Sequence, residues 1–133
     1  MHSGYLLDTN IVGHIMQGRD VLLLHKLQAV PVGQVHISSV TLAELMYGLN
    51  RRNQPAKLMN ALDQLLLHMD ALPWTEEVAR TYGKLCTDLE RKGINLSDLD
   101  MMIAAQAKHA NLTLVSRDKA FKQLNKDLIL EIW

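Results

Sequence analysis

The chain predicts an α/β fold, a central parallel sheet covered by helices on both faces. Three observations carry this. Short apolar runs of strand length alternate with longer stretches of helical spacing from one end to the other. Four acids, Asp8, Glu44, Asp100 and Asp118, each stand where an expected strand hands over to a helix, or early in the helix that follows. With 48% hydrophobic and 21% charged residues, 133 residues suffice for one domain, read as 1–133, that buries most of its apolar surface.

Taken in order, Tyr5-Leu6-Leu7 is a short apolar run ending at Asp8 and forms the first strand. Ile11 to Met16 and Val21 to Val30 have helical spacing, broken by Gly18 and Pro31. Val35-His36-Ile37 is the second strand. Ser39 then caps a helix with the apolar stripe Leu42, Leu45, Met46 and Leu49. After the polar break from Asn50 to Gln54, Pro55 opens a helix to about His68, with Leu58, Leu62, Leu65 and Leu66 inward. Met69 to Leu72 is a weaker third strand, stopped by Pro73.

Thr75 caps a long helix that carries Glu76 and Glu77 in its first turn, where the helix dipole favours acids. Its buried face is Val78, Ala79, Tyr82, Leu85, Cys86 and Leu89, and Gly93 ends it. Ser97 caps another helix through His109. Leu112 to Val115 is a clear strand, Lys119 to Leu124 a short helix, and Leu128 to Ile132 the last strand.

Composition excludes several classes. Lys plus Arg and Asp plus Glu each total 14, so a nucleic-acid partner would need a local basic patch, not a basic whole. The lone Cys86 cannot form an internal disulfide, which suits a reducing cytoplasm. No apolar run reaches the ~18 residues of a membrane span. The start, MHSGYLLDTN, lacks the basic flank and apolar core of a secretory signal. The reading is a cytoplasmic protein with no membrane partner.

If one parallel sheet gathers the strand ends, the four acids meet in one cleft. Two carboxylates ~4 Å apart repel by roughly 4 kcal/mol at an effective dielectric near 20, so such a cluster calls for a cation. Singly, each acid has a plainer role. Asp8 and Asp118 could cap the helices they precede, and Asp100 could be a first-turn acid. Glu44, beside Leu45 and Met46, is the hardest to explain so. Hard oxygen donors without clustered thiols favour Mg²⁺, with Mn²⁺ as a substitute, over zinc. The six histidines show no ligand spacing, and P-loop, G-x-G-x-x-G and G-x-S-x-G motifs are missing.

Five stretches occur in the right order: LLDTNI at 6–11, ISSVTLAELMYGL at 37–49, LSDLDMMIAAQA at 96–107, LTLVSRDKAF at 112–121 and LILEIW at 128–133. Together they resemble the PIN-domain ribonucleases, and among those the VapC-type toxins of bacterial toxin–antitoxin pairs. The resemblance covers the chain from end to end. It implies a Rossmann-like PIN domain, Mg²⁺-dependent endoribonuclease activity, a homodimer, and a small VapB-type antitoxin that covers the active site. Asp8, Glu44, Asp100 and Asp118 match the four family acids; Thr9, Asn10 and Ser116 match supporting polar positions. Asp98 is a possible additional acid, ranked below Asp100 because DMMIAA aligns with the third family motif. The helix EEVARTYGKLCTDLERKG is similar to that of toxins that cut initiator tRNA in its anticodon loop, which makes tRNA the expected substrate. Some of those toxins carry asparagine where this chain has Asp118.

On that reading Asp8 and Asp100 bind Mg²⁺ most directly, Glu44 and Asp118 complete the cluster, and a metal-bound water attacks the phosphodiester. RNA must also be held by positive charge. Arg51, Arg52 and Lys57 follow the Glu44 helix, while Arg117, Lys119, Lys122 and Lys126 surround Asp118, with Arg117 the first candidate. Aromatics make up 5% of the chain, so base-stacking platforms are sparse. Two rivals remain: another Mg²⁺-dependent phosphoryl hydrolase, whose D-x-D-x-T pattern is missing, and a catalytically inactive PIN-fold binding or regulatory module, against which four intact acids argue.

Overall fold

The computed structural model describes residues 4–133, so the part of the signal-peptide expectation that falls on 1–3 lies outside the described residues. The elements are β1 (Tyr5–Leu7), α1 (Thr9–Gln17), α2 (Val21–Ala29), β2 (Val35–Ser38), α3 (Ser39–Arg51), α4 (Ala56–His68), β3 (Asp70–Leu72), α5 (Glu76–Arg91), α6 (Asp98–Ala110), β4 (Thr113–Val115) and β5 (Leu130–Glu131), with a 3-10 turn at Lys119–Leu124. The strands form one sheet in the order β3-β2-β1-β4-β5, every neighbouring pair parallel.

Because side chains alternate along a strand, the central strands β1 and β4 feed two cores. Leu6 and Leu114 pack with α5 and α6 on one face; Leu7, Val115, Val35 and Ile37 pack with α1, α2 and α4 on the other. Leu6 and Leu7 are both fully buried, and truncating either to alanine costs about 2–5 kcal/mol. Among the described residues no helix is long and apolar enough to cross a membrane.

Most helix boundaries follow local chemistry. Thr75 and Ser97 cap α5 and α6, their hydroxyls accepting from Val78 N and Asp100 N. Gly93 ends α5 at φ 73°, a left-handed turn that favours glycine.

Five details differ from expectation. Ser38, not Ser39, caps α3: its hydroxyl accepts from Val40 N at 3.0 Å while its backbone is still extended and paired with Leu72 of β3. Pro55 sits just before α4 instead of inside it, at ψ 122°, where a residue is extended rather than helical. Lys119–Leu124 is a 3-10 turn, too short to need α-helical bonding. β5 shrinks to Leu130–Glu131 because its partner β4 is only three residues long and offers two paired positions. Ala79 is exposed; α5 docks on α6 through Val78, Leu85 and Leu89, with Tyr82 and Cys86 half-buried at the edge.

Candidate active site

From β1 the chain winds outward to β2 and β3, then crosses back to add β4 and β5 on the opposite side. Winding therefore reverses between β1 and β4, the point beyond whose carboxyl ends open α/β sheets bind their ligands. Asp8 stands at that point, its N–H donating to Val115 O at 3.0 Å. Its side chain is 4% exposed. Asp8 does take the plainer role of helix cap, since Oδ1 accepts from Ile11 N at 2.9 Å. Yet Oδ2 is held separately, by the Ser116 hydroxyl at 2.5 Å.

The other acids arrive on different elements. Asp118 follows β4 and is exposed; its N–H donates to Ser116 Oγ at 3.0 Å, and its Oδ1 caps the 3-10 turn at Ala120 N, 2.9 Å away. Ser116 thus joins Asp8 to the Asp118 turn. Glu44 lies half-buried on α3, where Oε1 accepts from the Thr9 hydroxyl at 2.7 Å. Thr9 Oγ1 is also 3.1 Å from the fully buried Thr41 hydroxyl. Asp100, in the first turn of α6, is half-buried.

Asp98 parts company with Asp100. It is exposed, and its charge acts on Tyr82 of α5, whose hydroxyl is pushed up by burial, by Cys86 and by Asp98. Asp100 acts instead on Asp8. Burial pushes the Asp8 carboxyl above the usual carboxylate range, the Ser116 hydroxyl and Ile11 N–H pull it back, and the charges of Asp100 and Asp118 push it up again. Three of the four acids therefore share one electrostatic neighbourhood, and Thr9, the residue after Asp8, bonds the fourth.

That neighbourhood is looser than a closed metal cage. Among the described residues no three His, Cys, Asp or Glu side chains are grouped tightly enough to hold an ion. In kind, however, the site fits a hard divalent cation. Its donors are all oxygens, and a cation would offset both the burial and the like charges of Asp100 and Asp118 that raise Asp8.

The cations sort unevenly. Arg117 is committed inside the protein: Nε donates to Trp133 O at 2.8 Å and a terminal nitrogen to Asp20 Oδ2 at 2.7 Å. The Leu23 N–H and Arg117 together hold the Asp20 carboxyl below its usual range. Lys119 is exposed at the start of the 3-10 turn. Arg51 is exposed on α3, its guanidinium 5.4 Å from the Tyr47 ring centroid, and among the described residues neither it nor Arg52 forms a salt bridge. Asn10 is exposed beside Thr9.

Sequence reasoning passed over three supports. Thr41 backs the Thr9–Glu44 pair. Ser38 and Gln106 form a buried bridge, Ser38 Oγ to Gln106 Oε1 at 2.6 Å and Gln106 Nε2 to Pro73 O at 3.0 Å, which ties the start of α3 to α6. The signal for Gln106 was present: one amide among Ile103, Ala104, Ala105 and Ala107 must find partners when buried.

The PIN domain family model matches residues 5–127. The chain is 33% identical over 131 residues to ribonuclease VapC2 of Rickettsia felis, spanning 97% of each chain. It is 27% identical over 114 residues to the tRNA(fMet)-specific endonuclease VapC of Shigella flexneri, spanning 86% of each. The solved structure of VapBC2 from Rickettsia felis, bound to a promoter DNA fragment, superposes with a TM-score of 0.87 at 31% identity, covering 97% of this chain and 98% of that one.

Proposed function

The chain belongs to the PIN-domain family, and from that premise we propose that its four acids hydrolyse RNA around a divalent cation. It is a VapC-type endoribonuclease of a toxin–antitoxin system. The proposed ion is Mg²⁺, with Mn²⁺ able to replace it; the proposed substrate is tRNA, supported by what the Shigella flexneri relative is named to cut. The partner is a VapB-type antitoxin, as in the VapBC2 assembly of Rickettsia felis. The site of action is the cytoplasm.

One observation carries the catalytic reading. Asp8 is buried beside two other acids, and both raise its carboxyl. Burying a carboxylate against like charge costs stability, and such strain is kept where a site needs it. Asp8 and Asp100 would hold the ion, with Glu44 and Asp118 completing the set. When bound, the ion lowers the pKa of a water and offsets charge on the scissile phosphate. The chain itself supplies orientation. Ser116 fixes Asp8 Oδ2, Thr9 fixes Glu44 Oε1, and the Ser38–Gln106 bridge keeps the helices of Glu44 and Asp100 in register. Asp98 takes no part.

Purified protein incubated with total tRNA tests the reading. A discrete cut is expected with Mg²⁺, none with EDTA, and none from Asp8→Asn or Asp100→Asn protein. Full cleavage in EDTA, or by either variant, refutes the assignment.

A further inference from the structure

A groove runs between α1 and α3, away from the acids. It encloses about 380 Å³. Thr9 and Glu44 line its near end, which places it beside the proposed catalytic acids, and Arg51 and Arg52 line its far end. We propose that this groove seats the RNA strand next to the cleaved bond, a nucleotide subsite with a phosphate at Arg51 and Arg52. The inference rests on the ribonuclease reading and deepens it.

Spacing sets the scale. Glu44, Gly48 and Arg51 recur at helical intervals on α3, and Asn10 and Gly13 do so on α1. At about 1.5 Å per residue, Glu44 and Arg51 are separated by roughly 10 Å along the axis. A strand whose cleaved phosphate lies at the acids can therefore place a neighbouring one at the arginines. Leu45 and Leu49 give the groove an apolar floor suited to a base or ribose face. Neither arginine forms a salt bridge among the described residues, and stacking over Tyr47 braces Arg51 without neutralising it. Negative charge at one end, where a metal-bound phosphate would sit, and positive charge at the other match a polyanion better than an apolar peptide.

Two glycines add an independent argument. Gly13 and Gly48 lie inside α1 and α3 and both line the groove. Neither has a positive φ, and a Cβ on either would meet nothing within 4 Å. Glycine inside a helix is disfavoured relative to alanine, and here neither conformation nor packing requires it. What the pair does is keep the groove wide and let a ligand approach both backbones.

The test is RNA binding to Asp8→Asn protein, in which asparagine remains a good cap and the strand stays uncut. Adding Gly13→Ala or Gly48→Ala should raise the Kd for tRNA about tenfold or more, with no fall in melting temperature. Replacing Arg51 and Arg52 by glutamine should weaken binding and reduce the slope of log Kd against log salt by about one per lost phosphate contact. Gly83→Ala, on the exposed face of α5, should bind as the parent does. Unchanged Kd in both groove-glycine variants overturns the inference. So does unchanged tRNA binding with loss of antitoxin binding, which would give the groove to a protein partner. RNA that binds through the groove yet is never cut by the wild-type chain would instead refute the ribonuclease reading and leave the subsite standing.

Discussion

On the α3 flank of the cleft, Arg51 stands exposed over Tyr47 with no carboxylate partner among the described residues. On the β4 flank, Arg117 spends its guanidinium on Trp133 O and Asp20. By sequence the two are alike, each a basic residue near a site acid. Their surroundings separate them. Two of its five N–H donors are taken and the Asp20 carboxylate offsets its charge, so Arg117 ties the turn carrying Ser116 and Asp118 to the start of α2 and to Trp133. Arg51 leaves its charge unpaired by any carboxylate among the described residues, as the proposed subsite requires. On the proposed reading, one flank binds and the other positions.

The largest expected effect removes what both flanks serve. Asp8→Asn should lower single-turnover RNA cleavage about a thousandfold, equivalent to about 4 kcal/mol in the barrier. It should also melt higher than wild type at neutral pH. The sign follows from the raised Asp8 carboxyl. A folded-state pKa above the unfolded value gives stability that is complete below the unfolded pKa and is lost as pH rises through the folded one. Asparagine has no such loss, so the gap between the two melting curves should close as pH falls toward the ordinary aspartate range. A variant that melts lower at pH 7 would contradict this.

Next, Arg117→Ala should lower kcat about 10- to 100-fold, as loss of an orienting partner does, with little change in KM or in salt dependence. The opposite pattern, a raised KM with a shallower salt slope, would put Arg117 on the binding side and dissolve the contrast between flanks. Gln106→Ala should cost about 1–3 kcal/mol in denaturant unfolding, because Ser38 and the Pro73 carbonyl lose a buried partner. Asp20→Asn should shift kcat in the direction of Arg117→Ala but by less, since the Trp133 bond survives. In the wild type that Asp20 contact should hold from neutral pH down into the ordinary aspartate range. A lowered pKa gives stability present above the unfolded value and lost only as pH falls through the folded one.

Much of this site could be read before folding was considered. Asp8 and Asp118 end apolar runs, and a parallel sheet places such ends together. Thr75, Ser97 and Gly93 mark helix ends through bonds made within one turn. Other choices lay beyond local signals. Ser38 and Ser39 are chemically the same residue, and only where β2 stops pairing decides which one caps α3. Asp98 and Asp100 are two positions apart on α6, hence about 200° around the axis, and the docking of α5 decides which faces Asp8.

The amino-acid order by itself determined the alternation of strand and helix, most of the caps and the acids at the strand ends, because propensity, periodicity and capping act over a few residues. Tertiary packing alone decided that Arg117 finds Asp20, 97 positions away, that Gln106 finds Ser38, 68 positions away, and that Arg51 finds no acid among the described residues. The reason is physical. A charged or amide side chain takes whichever partner the folded chain brings within about 3 Å, and that is settled by how the two cores pack against the sheet.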